Sequence, residues 1–390
     1  MKLHQYILFG MMSLGAVSCS DWTEIERETF PGQEQISRYI PLIEAQSEED
    51  LTPKQREFYK KLREEYRPSP HVKGFGWYGN WTGKGTNAQN YLKMLPDSVD
   101  FVSLWGTRGN LSKEQKADLK FFQDVKGGQA LLCWICQDIG SAITPEGEDM
   151  NTYWHELAKK NGATGGFKDI ANEAAKLYAH AIADTVVKYN LDGFDIDWEP
   201  GYGHSGSLAT SASRSSIGED KYNTEAYWFI KTLRDRFDEF EKTPERNGRP
   251  MLLVMDGEPY CADTETSKML DHYIYQAYWE GSHQAVKSKI NHPHLDEWER
   301  KTIITVEFEQ LWRQGGKVGY RPANEDLKKY INLSQSVQLL DYACMDLPSG
   351  KRIGGVGTYH MEYDFKNSPE YKWLRLALYV GNQEYPGNFQ

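Results

Sequence analysis

Asp195, Asp197 and Glu199 recur at every second position, interleaved with Phe194, Ile196 and Trp198. Side chains on a β-strand change faces at each residue, so the three acids share one face and the three apolar residues the other. Helical spacing would scatter the acids around the axis. On a strand they stand roughly 6.5–7 Å apart, too close for all three to ionise freely, so a shared proton and a raised pKa on the outermost acid are expected. An acid that keeps its proton near neutral pH can protonate a leaving oxygen, as glycoside hydrolysis requires. The competing chemistry is a Ca²⁺ or Mg²⁺ site. It ranks lower because further ligands would have to come from elsewhere and no His-rich cluster is apparent. An acid network kept only for stability ranks last, since burying unpaired carboxylates is costly.

Seven further apolar stretches read as short strands around this one: Val72–Tyr78, Val99–Trp105, Ala130–Cys136, Met251–Met255, Tyr273–Tyr278, Thr302–Phe308 and Gly354–Tyr359. With Gly193–Trp198 they make eight. Helical patterns fall between them at Ala88–Met94, Lys113–Val125, Lys168–Tyr189, Thr224–Glu241, Glu325–Leu340 and Glu370–Leu378, while the segment between strands six and seven is weakly patterned. The alternation predicts an α/β fold, a single-domain (β/α)8 TIM barrel over residues 71–390. A doubly wound sheet is the alternative, but no glycine-rich phosphate turn follows an early strand. In a barrel the carboxyl ends of the strands carry the chemistry. Glu199 lies at such an end, ahead of a long Ser/Gly-rich loop that runs to about Asp220 and is suited to gripping a substrate.

The run Asp192-Gly193-Phe194-Asp195-Ile196-Asp197-Trp198-Glu199 resembles the DGxDxDxE signature of glycoside hydrolase family 18, the chitinases and endo-β-N-acetylglucosaminidases, with all five fixed positions present. The resemblance implies that Glu199 is the general acid/base. Asp197 would orient a substrate 2-acetamido group, whose carbonyl oxygen is the nucleophile, and Asp195 would support Asp197 from below. Catalysis in this family is retaining but substrate-assisted, so no enzyme carboxylate attacks. On strand six, Gln276 and Tyr278 alternate onto one face. Many chitinases carry a Met-x-Tyr-Asp run there, whereas Gln-x-Tyr resembles the endoglycosidases that cut the chitobiose core of N-glycans. Tyr278 would then bond the acetamido oxygen, with Gln276 as polar support. Weaker candidates for sugar contact at the strand ends are Trp77, Tyr78, Asn80, Trp105, Tyr359 and Glu362. The Trp floor that chitinases commonly carry at strand eight is lacking in Gly357-Thr358-Tyr359-His360. Glu307, Glu309, Asp256 and Glu258 read as solvated acids. The expected activity is an endo-β-N-acetylglucosaminidase acting on N-glycans or other N-acetylglucosamine-containing glycans. A chitooligosaccharide hydrolase and a non-catalytic glycan-binding lipoprotein are the alternatives.

The 390 residues carry a formal net charge of -11, which argues against a nucleic-acid partner, since that would want a basic face. The 12 Trp and 24 Tyr suit stacking on uncharged sugars as well as ordinary packing. Neither metal nor cofactor is expected. Cys133 and Cys136 have CxxC spacing but lie on a strand, which turns the two thiols to opposite faces and disfavours a zinc or redox site. At the N-terminus a basic start and the apolar run Ile7–Val17 lead into Ala16-Val17-Ser18-Cys19, which resembles a bacterial lipobox apart from Ala16, where Leu is commoner. The expected organisation is a signal peptide over 1–18 and a tether and brace over 19–70. That would leave the protein on the cell outer membrane, held through lipid on Cys19 alone. On this reading a Cys19→Ala variant leaves the membrane fraction on cell fractionation, and its persistence there refutes the anchor.

Overall fold

The computed structural model describes residues 41–209 and 216–389, so Cys19 and the signal-peptide expectation lie outside the described residues. Eight parallel strands close into a barrel in chain order: β1 Lys73–Tyr78, β2 Val99–Leu104, β3 Gln129–Ile135, β4 Gly193–Trp198, β5 Leu252–Gly257, β6 His272–Gln276, β7 Thr302–Glu307 and β8 Gly355–Tyr359. All eight expected strands are present, with ends displaced by two residues or fewer. Around them run α1 Pro53–Lys61, α2 Lys113–Asp124, α3 Met150–Lys160, α4 Phe167–Lys188, α5 Thr224–Glu241, α6 His283–Ile290, α7 Gln338–Ala343 and α8 Lys372–Tyr379. None of the described helices is long and apolar enough to cross a membrane.

Two helix expectations are corrected. Ala88–Met94 forms two three-residue 3-10 turns separated by an extended Tyr91, because the Tyr78 hydroxyl takes the Gln89 carbonyl and the Asp118 carboxylate takes the Leu92 and Lys93 amides. Glu325–Leu340 breaks into a 3-10 turn, Glu325–Tyr330, and α7. Asn332 and the buried Ser336 hold the chain between them in turns of their own. Helix α3 went unread from sequence. Ahead of β1, α1 packs Tyr59 and, just beyond it, Leu62 against Phe121 and Val125 at the end of α2.

Two apolar layers follow from strand alternation. Phe75, Trp77, Phe101, Leu131, Cys133, Val254, Ile274 and Ile303 fill the barrel interior. Phe194, Ile196 and Trp198 face outward and are buried under the helices. There α4 lays down Ala171, Ala175, Tyr178, Ile182 and Val186, a stripe at helical spacing. Each large apolar side chain so buried contributes about 1.5–3 kcal/mol, which fixes the face that β4 shows to the interior. Gly193 starts that strand at a φ of 149°, where a Cβ would meet the Leu252 carbonyl oxygen at 1.8 Å. Below it, Asp192 is fully buried and accepts from Arg246 Nη2 at 2.9 Å, Gln123 Nε2 at 2.7 Å and the Ala130 amide at 2.9 Å. Removing one partner of such a buried pair strands the other charge. Arg246→Met should therefore cost about 3–5 kcal/mol in urea unfolding; a loss under about 1 kcal/mol would show that the pair does not anchor β4.

Candidate active site

Strand β4 carries Asp195 and Asp197 into the barrel and leaves Glu199 one residue beyond its end. Asp195 is fully buried beneath neutral donors: Ser103 Oγ gives its Oδ2 a hydrogen bond at 2.6 Å and Trp77 Nε1 another at 3.1 Å. Burial pushes its carboxyl up to about 6, against the pull of those donors. Asp197 is 5% exposed and its Oδ1 has no hydrogen-bond partner. Burial, reinforced by Glu199 and Asp195, holds it well above the usual carboxylate range. Glu199 is raised by burial too, while the charge of His204 and a hydrogen bond from Gln276 work against that rise. Gly257, at a φ of 86°, leaves the room Glu199 needs, since a Cβ there would approach Glu199 Cγ to 2.6 Å.

A fourth acid completes the group. Asp256 pairs in register with Asp197 on the neighbouring strand, is 1% exposed, and accepts from Gln276 Nε2 at 2.8 Å. Burial, with Asp197, Asp195 and Glu199 beside it, pushes it well above the carboxylate range. Tyr278 lies two residues past the end of β6 with its ring stacked on Tyr359 at 5.9 Å. Burial and then the charges of Asp256, Glu199 and Asp197 raise its hydroxyl, so it stays a neutral donor facing the acids. The arrangement is a mouth that keeps protons on carboxyl groups and offers hydroxyl and amide donors beside them, which suits acid catalysis on an uncharged substrate.

A model of glycoside hydrolase family 18, BT1044-like, matches residues 39–380. The chain belongs to glycoside hydrolase family 18. A solved structure of BT1044, a selenomethionine form with one Glu replaced by Gln, is 60% identical to this family 18 chain at a TM-score of 0.80, covering 90% of it and 99% of that chain. Chitinase A1 of Niallia circulans is 32% identical over 108 residues. That match takes in 26% of this chain and only 14% of the chitinase. A family 18 chitinase from Pseudoalteromonas aurantia covers 78% of this chain and is covered completely, at 14% identity and a TM-score of 0.44.

The structure brings Asp195, Asp197, Glu199, Gln276 and Tyr278 of this family 18 site together at one mouth. It disperses several of the residues expected to touch sugar. Trp77 is 2% exposed and its indole is committed to Asp195, so it has no free face for a ring. Tyr78 points outward into the helix layer, where its hydroxyl takes the Gln89 carbonyl. Glu362 is fully buried and accepts from the Gly79 amide at 3.0 Å and pairs with His360 Nδ1 at 2.7 Å. Asn80 and Trp105 instead line an open cleft of about 560 Å³ that Arg108 and His360 also border. Tyr359 stands beside it, its ring 6.0 Å from Trp105, with burial raising its hydroxyl to about 12.

Asp256 is corrected from a solvated acid beyond strand five to a buried member of the site. The signal was available: Leu252, Val254 and Asp256 alternate inward just as the acids of β4 do, and β5 runs two residues past Met255, to Gly257. Glu258 is likewise buried, accepting from the Gly201 amide and the Tyr260 hydroxyl, and Glu307 is 4% exposed and accepts from the Gln310 amide. Cys133 faces Asp195 inside the barrel, with burial pushing its thiol well up, while Cys136 packs in the outer layer. Among the described residues, two groups have ligand atoms within 4.8 Å of one another, as a metal would need: Cys133, Asp195 and Asp256, and Asp197, Glu199 and His204. The first is enclosed, and burial raises all three of its groups, which opposes the deprotonation a cation would need.

The raised carboxyl of Asp195 has a consequence for stability. Between the ordinary carboxylate value near 3.8 and about 6 the folded chain keeps a proton that the unfolded chain has lost, so this group lowers stability as pH rises through that window. Urea unfolding at about pH 4.5 and about pH 7 should show a pH difference that shrinks by on the order of 1–3 kcal/mol in Asp195→Asn. An identical difference in both proteins would mean that Asp195 ionises freely in the barrel.

Proposed function

We propose that this glycoside hydrolase is an endo-β-N-acetylglucosaminidase that cuts the β-1,4 bond in the chitobiose core of N-glycans by substrate-assisted, retaining catalysis. The observation that carries the reading is Gln276, whose amide spans from Asp256 to Glu199 at the end of β6. Gln-x-Tyr at that strand is the feature by which the sequence resembles the endoglycosidases rather than the chitinases.

In this mechanism protonated Glu199 gives its proton to the departing glycosidic oxygen. The acetamido carbonyl oxygen of the substrate closes onto the anomeric carbon, so no enzyme carboxylate has to reach it. Asp197, next to Glu199 and supported by Asp195, steadies the acetamido nitrogen as positive charge grows on the ring that forms. The Tyr278 hydroxyl donates to the acetamido oxygen and turns it towards the anomeric centre. Glu199, now ionised, draws a proton from water as the cyclic intermediate opens. Asn80, Trp105 and Tyr359 border the cleft through which further sugars would extend. Attachment of the mature chain to the outer membrane through Cys19 belongs to the same proposal and would place the cleft within reach of external glycoproteins.

The similarity to Chitinase A1 over 108 residues favours hydrolysis of chitooligosaccharides as the second reading. The two part company on substrate. Incubation with a high-mannose glycoprotein, a complex-type glycoprotein and chitooligosaccharides should release glycan from at least one glycoprotein, leaving a single N-acetylglucosamine on the protein. Cleavage of chitooligosaccharides alone would establish the second reading, and no cleavage of any of them would leave a binding protein. In Glu199→Gln the rate should fall by about 10²–10⁴-fold; an undiminished rate would remove Glu199 from the chemistry.

A further inference from the structure

Among the titratable neighbours of the acidic mouth that the mechanism above does not use, His204 lies against two of its acids at once. His204 sits five residues beyond Glu199 in the loop after β4, and the chain doubles back to place it there. Pro200–Tyr202 forms a 3-10 turn, the Tyr202 amide donates to the Glu199 carbonyl at 3.0 Å, and the His204 amide donates to that same carbonyl at 3.2 Å. The imidazole is thus tied to the backbone of the residue it faces. Its Nε2 lies 3.7 Å from Glu199 Oε2 and its Nδ1 lies 4.0 Å from Asp197 Oδ1. Both Nδ1 and Asp197 Oδ1 are buried with no hydrogen-bond partner, so each polar atom faces the other across a gap slightly longer than a hydrogen bond. Buried polar atoms left in that state are costly unless function retains them.

We propose that His204 is a positioning residue for this site. Its imidazole holds Asp197 and Glu199 at their working separation and sets the pH at which Glu199 releases its proton. This rests on the assignment of Glu199 as the general acid. The charges around the ring define the direction of the effect. From β4 come Asp197 and Glu199; from β5 and the turn after it come Asp256 and Glu258; β6 contributes only the neutral Gln276. From α6 comes Lys289, which lies 3.4 Å from the Tyr202 hydroxyl and 3.5 Å from Glu280. An imidazolium between the two carboxyls attracts whichever of them loses its proton. It favours the carboxylate form of Glu199. When Glu199 gives up its proton to the leaving oxygen, the new anion therefore forms beside a cation, and the proton-transfer step is eased. The cost is an earlier loss of the reactive, protonated acid as pH rises. Replacing the imidazole with a neutral group should reverse both effects.

Two measurements test this, and one of them needs no substrate. In the pH profile of kcat/KM, the alkaline limb reports loss of the proton from the acid. His204→Gln should move that limb to higher pH by about 0.5–1 unit, and His204→Lys, which keeps a permanent cation, should move it back towards or below the wild-type position. A role in packing alone would lower kcat in both variants and leave the limb where it was. In the second measurement the Glu199 carboxyl is titrated by carbon NMR in the wild type and in His204→Gln. Loss of the neighbouring imidazole should raise the Glu199 midpoint by about 0.5–1 unit. An unchanged midpoint overturns the coupling whatever the substrate proves to be. A shifted midpoint in a protein that cleaves none of the glycans tested upholds the coupling and refutes only the assigned function.

Discussion

The site depends on a dielectric constraint: several carboxyl groups are enclosed in the barrel mouth, and among the described residues no Arg or Lys pairs with Asp195, Asp197 or Asp256. Asp195 meets an indole and a hydroxyl donor, Asp256 meets an amide, and these two and Asp197 are all raised above the usual carboxylate range. Cations are not missing from the barrel; they are used at its other end. Asp192 is paired with Arg246 at the foot of β4. At the foot of β2, His71 and Arg67 hold Asp100 well below the carboxylate range despite its burial. The same residue type therefore meets cations below and neutral donors above, within the length of one strand. Neutral donors satisfy part of the hydrogen-bonding capacity of the upper acids without removing the reason for them to keep a proton.

That arrangement explains why Trp77 and Ser103 matter although neither reaches the cleft. Each presents a dipole to Asp195 that a charged side chain could not replace without ionising it. It also explains the position of Gln276: an acid there would add a further charge to a crowded group, and a lysine would discharge it. An amide can donate to Asp256 and Glu199 together and leave their protonation to burial.

The sequence made the barrel legible because strand alternation is a local signal, and each of the eight strands carries enough of it. The acids of β4 were legible for the same reason. What escaped was set by long-range contacts. Ala88–Met94 has helical spacing, yet Asp118 from α2 captures its amides and divides it. Trp77, Tyr78 and Glu362 are residue types that bind sugars, but side-chain direction and partners 118 and 283 residues away decide that they do not face one here. Asp256 was hidden because β5 runs on to Gly257, two residues past the end its apolar run marks. His204 had no signal at all, since a histidine in a Gly-rich loop acquires meaning only once the turn at Pro200 brings it back over β4.

The outward face of β4 has a consequence beyond stability. Phe194, Ile196 and Trp198 are locked beneath the helices, and alternation ties their positions rigidly to those of Asp195 and Asp197. The spacing of the acids is thus set by apolar packing on the opposite side of the strand, away from anything a substrate touches. Loops at the mouth are free of that bond. Lineages descending from such a barrel can exchange one glycan for another by rewriting loops while the proton chemistry is inherited intact, and a mutation that disturbs the chemistry can lie on a surface no sugar ever meets.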